Sequence, residues 1–258
     1  MFGALLRHYR ERAGLSQEGL GLRIGFSKSQ VAMVERGERP PKGDFTLQAD
    51  AALGADGALT AAAVKLTFSH LASWFEPFAE EELKARTRYE YETHVMPGML
   101  QTEAYARAIF NGGYPTLDDE EIEGRIAARM ARQQLLTRVP PPDISFILEL
   151  SVLTRPIGGR EVHREQVQHI LDISRLRHVH LQVMSPQRES HAGLSGSFVL
   201  LETDARRRLA YLEVQGTNYL VREEPQLGAL FGRYGILRTQ ALNAEESQQL
   251  IEQVLEDL

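Results

Sequence analysis

Gln17-Glu-Gly-Leu-Gly-Leu-Arg-Ile-Gly-Phe-Ser-Lys-Ser-Gln-Val-Ala-Met-Val-Glu-Arg36 decides the fold of the first part of this chain. Apolar residues fall at Leu20, Ile24, Phe26, Val31 and Val34, the spacing of two short helices sharing one core. Gly21 lies where the two helices must touch, and Gly25 where the chain must turn sharply. Ser27 followed by Gln30 is a capping-box pattern that starts the second of them. Two short helices joined at a glycine-containing turn form the motif that lays its second helix in a DNA major groove.

Outward from this stretch, residues 3–13 read as a preceding helix with Leu5, Leu6 and Tyr9 on one face, ended by Gly14. Ser16 caps the helix that follows, and Gly37 stops the helix after Ser27. Asp44 is placed to cap a fourth helix to about Leu53, and a fifth runs from about Leu59 to His70. Five short helices make a complete small domain over residues 1–70.

The net charge of −6 runs against DNA binding until its distribution is seen. Residues 1–42 hold eight Lys or Arg and four acids, which is +4 and leaves −10 for residues 43–258. A basic head on an acidic body suits a protein whose phosphate contacts lie in one place. Val31 and Val34 must face the head's core, which also draws Gln30 toward the buried side. Lys28 and Ser29 are then the candidates for base-edge hydrogen bonds, and Ala32 and Met33 for packing on thymine methyls. Gln17 and Ser27 at helix N-termini, with Arg36 and Lys42, suit phosphate contacts. Arg10 and Glu35, at the ends of their helices, are expected to meet as a structural ion pair.

These residues resemble the lambda-repressor-like, Xre or Cro/CI type of helix-turn-helix over about residues 2–68, through Gln17, Gly25, Val31, Val34 and the Glu35-Arg-Gly37 ending. The resemblance implies DNA contacts by Gln17 and the start of the third helix, and pairing of Arg10 with Glu35. Gly21 departs from the alanine usual in that family, and Pro40-Pro41 replaces more basic residues.

Residues 71–258 form the second domain of an α+β chain. Helices are expected at Glu80–Tyr91, Thr102–Phe110 and Asp118–Arg138, the last with acids early, arginines late and Ile122, Ile126 and Met130 as its buried stripe. After Pro140-Pro-Pro142 the period changes. Ile144–Leu150, His178–Met184, Ser197–Glu202 and Arg208–Val214 read as strands of a small, mostly antiparallel sheet, with a helix at Glu161–Leu176 between the first two. Helices at about Pro225–Leu242 and Ala244–Leu255 close the chain. This body resembles the WhiJ-like, Scr-type, antitoxin-like group of actinobacterial Xre regulators. The resemblance rests on Val95-Met-Pro-Gly-Met-Leu-Gln-Thr-Glu-Ala-Tyr-Ala-Arg107, Arg155-Pro-Ile-Gly-Gly159, Leu181-Gln-Val183, His191-Ala-Gly-Leu194 and Ala241-Leu-Asn-Ala-Glu-Glu-Ser247. It implies a regulator paired with a small protein encoded nearby, and supplies no reaction or ligand. Met96, Met99 and Leu100 are either core or an adaptable contact patch for such a partner.

Enzyme readings fare poorly. His191-Ala-Gly-Leu-Ser-Gly-Ser197 lacks the Gly-Lys-Ser/Thr of a phosphate loop and the final glycine of a nucleophile elbow. His178 and His180 read as exposed strand residues, His163 and His169 are off the i,i+4 face, and the carboxylates show no discernible pairing. No cysteine is present, which excludes disulfides and thiolate chemistry. No metal and no cofactor are expected. With no stretch of about 20 apolar residues and Arg7 and Arg10 breaking the N-terminus, no membrane span or signal peptide is read and a cytoplasmic location is expected. The expectation is a non-enzymatic, sequence-specific transcriptional regulator that binds a palindromic double-stranded operator as a homodimer through residues beyond 70. The alternatives are an antitoxin-like module gripping a small partner, and an enzyme with a DNA-binding head.

Overall fold

The computed structural model describes residues 1–41, 44–68, 75–185, 187–214 and 217–258, and it divides into two compact units, Met1–His70 and Leu71–Leu258. The first unit is all helical: α1 (Phe2–Arg12), α2 (Gln17–Ile24), α3 (Lys28–Arg36), α4 (Phe45–Leu53) and α5 (Ala58–Phe68). Its core is the apolar stripe read above, with Leu6, Leu20, Ile24, Val31, Phe45 and Leu59 buried together. The helix ends follow from local chemistry. Ser16 Oγ accepts the Gly19 N–H at 3.0 Å, and Gly25 closes α2 in the left-handed conformation at φ 73°. Ser27 and Gln30 form the full reciprocal box at the start of α3. Asp44 precedes α4 without a side-chain cap; the buried Asp50 instead takes the Gly57 and Thr60 N–H groups at 2.7 and 2.9 Å, tying α4 to the start of α5.

Two glycines are needed for packing. A Cβ on Gly21 would stand 2.5 Å from the Phe26 carbonyl oxygen, so the α2–α3 turn closes only over a hydrogen. A Cβ on Gly3 would meet the Glu35 carbonyl oxygen at 2.3 Å, so α1 lies directly against the end of α3.

The second unit is a six-stranded mixed sheet in the order β3-β2-β1-β4-β5-β6. The strands are β1 (Ala85–Glu92), β2 (Asp143–Leu148), β3 (Val179–Val183), β4 (Phe198–Thr203), β5 (Arg208–Val214) and β6 (Thr217–Val221). β1, β2 and β3 are parallel neighbours, while β1–β4, β4–β5 and β5–β6 are antiparallel. The helices are α6 (Glu76–Glu82), α7 (Glu103–Asn111), α8 (Asp119–Arg132), α9 (Leu150–Thr154), α10 (Arg160–Ser174), α11 (Gln226–Gln240) and α12 (Ala244–Asp257). Alternate residues of each strand serve different cores. Ile144, Phe146 and Leu148 join Val167, Ile170 and Ile251, whereas Ile147, Phe198 and Leu200 join Leu230, Tyr234 and Leu237 of α11. Burial on both faces accounts for the near-continuous apolar runs of β2 and β4.

Two expectations are corrected here. The helix read at Glu80–Tyr91 ends at Glu82, and Ala85–Glu92 is the central strand β1. The charged residues that made it read as helix are turned inward: Arg88, Glu90 and Glu82 are buried. The sheet is larger than expected, because β1 and β6 were not read as strands; three of its five pairings are antiparallel, in keeping with a mostly antiparallel sheet, and β1–β2 and β2–β3 are parallel.

Candidate nucleic-acid interface

Lys28 and Ser29 stand exposed on the first turn of α3, and among the described residues Lys28 makes no ion pair. Ala32 and Met33, one turn on, are half-buried with an accessible side. Gln30 is exposed rather than drawn to the core, and its side-chain oxygen is taken by the Ser27 N–H at 2.9 Å. The Ser27 hydroxyl is spent on the same cap, accepting the Gln30 N–H at 3.2 Å. Arg36 is exposed and paired with Glu38, with Nε and Nη2 donating at 2.6 and 2.7 Å, so the carboxylate offsets part of its charge toward a phosphate. Lys42 lies outside the described residues.

Behind this face the framework is locked. Arg10 donates Nε and Nη2 to the two oxygens of Glu35 at 2.5 and 3.0 Å, and its Nη1 to the Leu15 carbonyl at 2.8 Å. The hydrogen bond to Glu35 raises the Arg10 pKa above its ordinary value, against the opposing effect of burial. Gln17, read as a phosphate contact, donates Nε2 to Glu35 Oε2 at 2.8 Å. One buried carboxylate therefore joins α1, the N-terminus of α2 and the end of α3. It sets the position of Gln17 relative to the recognition helix.

In the second unit the structure overturns one candidate surface. Met96, Met99 and Leu100 are each 0% exposed and belong to the largest core, so they offer nothing to a partner. The motif around them is a braced loop. Gln101 donates to the Met96 carbonyl at 2.6 Å and accepts from Arg129 Nη1 at 2.6 Å. Gln133 donates to the Gln101 carbonyl at 2.6 Å, and Gln166 to the Leu100 carbonyl at 2.6 Å. Thr102 caps α7 through the Tyr105 N–H.

The carboxylates, read as unpaired surface groups, include a buried network that sequence spacing did not show. Glu82 accepts from Arg88 Nε at 2.9 Å and from Arg132 Nε and Nη2 at 2.7 and 3.0 Å, and Arg88 Nη1 donates to Glu90 at 2.6 Å. Burial opposes the charge on Glu82, and the two guanidinium groups outweigh it, holding its carboxyl below the usual range. At the carboxyl end of β1 and β2, Tyr91 donates to Glu149 at 2.5 Å and His191 Nε2 lies 3.3 Å from the same oxygen. His191 Nδ1 accepts the Gly193 N–H at 3.1 Å, which places the ring proton on Nε2. His178 bonds the Leu136 carbonyl at 2.8 Å and His180 lies 3.3 Å from Asp143. Among the described residues no group of His, Asp and Glu has the arrangement of a metal site, and no helix is long and apolar enough to cross a membrane.

A family profile for a helix-turn-helix domain matches residues 1–63, which hold α1 to α4 and the first part of α5. A second, for a domain of unknown function designated DUF5753, matches residues 75–253. No curated protein and no solved structure matches the chain. With well over half its length under the second profile, the chain belongs to the DUF5753 family, and it carries a helix-turn-helix DNA-binding domain ahead of that family's domain.

Proposed function

We propose that this chain is a sequence-specific transcriptional regulator that works as a dimer. Its head reads a half-site through α3, and its second domain holds two copies together and receives the regulatory signal without chemistry of its own. The observation that carries this reading is the division of labour on the head. Arg10, Glu35, Gln17, Ser27 and Gln30 are committed to the framework, while among the described residues Lys28 and Ser29 stand uncommitted at the leading turn of α3 in a segment of +4 charge.

Selection from random duplex DNA with the full chain, followed by titration of the winning site, tests it. A pseudo-palindromic site with half-sites about one helical turn apart is expected. Affinity should fall with salt at a log–log slope of about −0.9 per phosphate contact. Selection that returns no consensus, or a salt-independent affinity, refutes the reading.

A further inference from the structure

The two edges of the sheet are finished differently. β3 is closed: the Val183 N–H donates to Ser247 Oγ at 2.9 Å, and its carbonyl accepts the Leu242 N–H at 2.9 Å. β6 is the last strand at the other edge and, among the described residues, has a strand on one side only. Natural edges that must stay solitary carry a charge, a proline or a bulge. Thr217-Asn-Tyr-Leu-Val221 has no charge and no proline, and its register with β5 runs unbroken from Val214↔Thr217 to Ala210↔Val221. Val214 and Tyr219 share one face of this hairpin and are 53% and 60% exposed.

We propose that β6 pairs antiparallel with β6 of a second copy, with Tyr219 on the twofold axis, so that one sheet runs through both copies. This rests on the dimeric reading above and names the surface that makes the dimer. Three features favour a second copy as the occupant. An antiparallel strand paired with itself is isologous: each copy gives and takes the same main-chain groups, which closes the assembly at two. Charge points the same way. Residues 1–42 carry +4 and residues 43–70 carry −2, which leaves −8 for residues 71–258, so two copies of this unit repel through their net charge and a contact free of like charges is favoured. Between Arg208 and Arg222 the only charged residue is Glu213, and the segment Thr217–Val221 sets no like charges opposite each other. The pairing also lays the two Tyr219 rings side by side and covers the exposed patch, an aromatic cross-strand contact of the kind that stabilises such pairs.

The cysteine-free chain makes the test direct. Opposed Cα atoms in an antiparallel pair lie about 4.5–5.5 Å apart, within disulfide reach. Full-length Tyr219→Cys should therefore oxidise to a covalent dimer. Tyr114→Cys, at a position 99% exposed, should form no covalent dimer under the same oxidation. Light scattering of the unmodified chain should give twice its 29.0 kDa mass. Tyr219→Lys, which sets ammonium groups opposite each other at an exposed position, should weaken the dimer about tenfold or more with an unchanged circular dichroism spectrum. A dimer by light scattering with no cross-link at position 219 and no effect of Tyr219→Lys would overturn the surface while leaving the dimeric reading standing. A monomer throughout would overturn both. Equal cross-linking of the two cysteine variants, or cross-linking of Tyr219→Cys to a different protein in place of itself, would also overturn the proposal.

Discussion

Arg10 and Glu35 face each other as a two-pronged ion pair, with side chains 9% and 4% exposed, and Gln17 shares the same carboxylate. Such a pair stabilises weakly compared with two apolar residues, but losing one partner strands a buried charge. Glu35→Ala is therefore expected to destabilise the head by about 3 kcal/mol, well above a surface bridge. Replacing both, as Arg10→Met with Glu35→Leu, should recover most of that loss. Hydrogen exchange of the α1 and α3 amides in the full chain reads both effects. Unchanged protection in Glu35→Ala would show that the pair contributes nothing.

The position of Gln17 on Glu35 separates two kinds of DNA variant. Lys28→Ala and Ser29→Ala remove groups that face outward on α3, and each should cost about 1–3 kcal/mol at one base position while relaxing preference there. Gln17→Ala should instead weaken all sequences alike, because its role is at the phosphate or in placing α2. Competition titrations against single-base variants of the selected site distinguish them. A Lys28→Ala protein with unchanged discrimination would show that α3 presents a different face.

The five helices of the head could be read in advance because each local signal has a local cause. Ser16, Ser27, Gly25 and Gly37 each act within four residues of where they stand. The strands β2 and β4 were legible because burial on both faces demands apolar runs, and β3 because its apolar residues alternate with accessible ones. β1 was not, since one of its two covered faces carries Arg88, Glu90 and Glu92 and the partners Glu82 and Arg132 lie at other points of the chain. Nothing in Ala-Arg-Thr-Arg-Tyr-Glu-Tyr-Glu announces that charges will neutralise one another in the interior. Met96, Met99 and Leu100 had no periodicity to place them, and only the bracing by Gln133 and Gln166 shows why that loop is buried. The capture of Gln17 by Glu35 needed three helices in place.

The close approach at Gly21 yields a signed prediction. In an isolated helix Gly→Ala gains about 1 kcal/mol. Here the new methyl would sit 2.5 Å from the Phe26 carbonyl oxygen, which is main chain and cannot swing aside. Overpacking of this kind costs about 1–3 kcal/mol, so Gly21→Ala should lower stability on balance and spread α2 from α3. Thermal denaturation monitored together with operator affinity checks it: both should fall. A more stable variant with full affinity would mean that the turn relaxes freely.

Glu92 makes stability depend on pH in an unusual direction. Burial, then the neighbouring charge of Glu90, push its carboxyl up to about 7, while the Thr93 and His94 amides oppose the shift. An unfolded chain releases that proton near 4.5, so between 4.5 and 7 the folded state binds a proton that the unfolded state does not. Stability from this group is fully present below 4.5 and is lost as pH rises toward 7. Glu92→Gln keeps an oxygen for the Thr93 N–H, which lies 2.7 Å from the carboxylate, and removes the titration. The variant should match the parent near pH 4.5 and exceed it by about 1–3 kcal/mol above pH 7. Paired denaturant melts across that range isolate Glu92 from every other titrating group common to both proteins. Parallel curves would show that Glu92 ionises as an ordinary surface carboxylate.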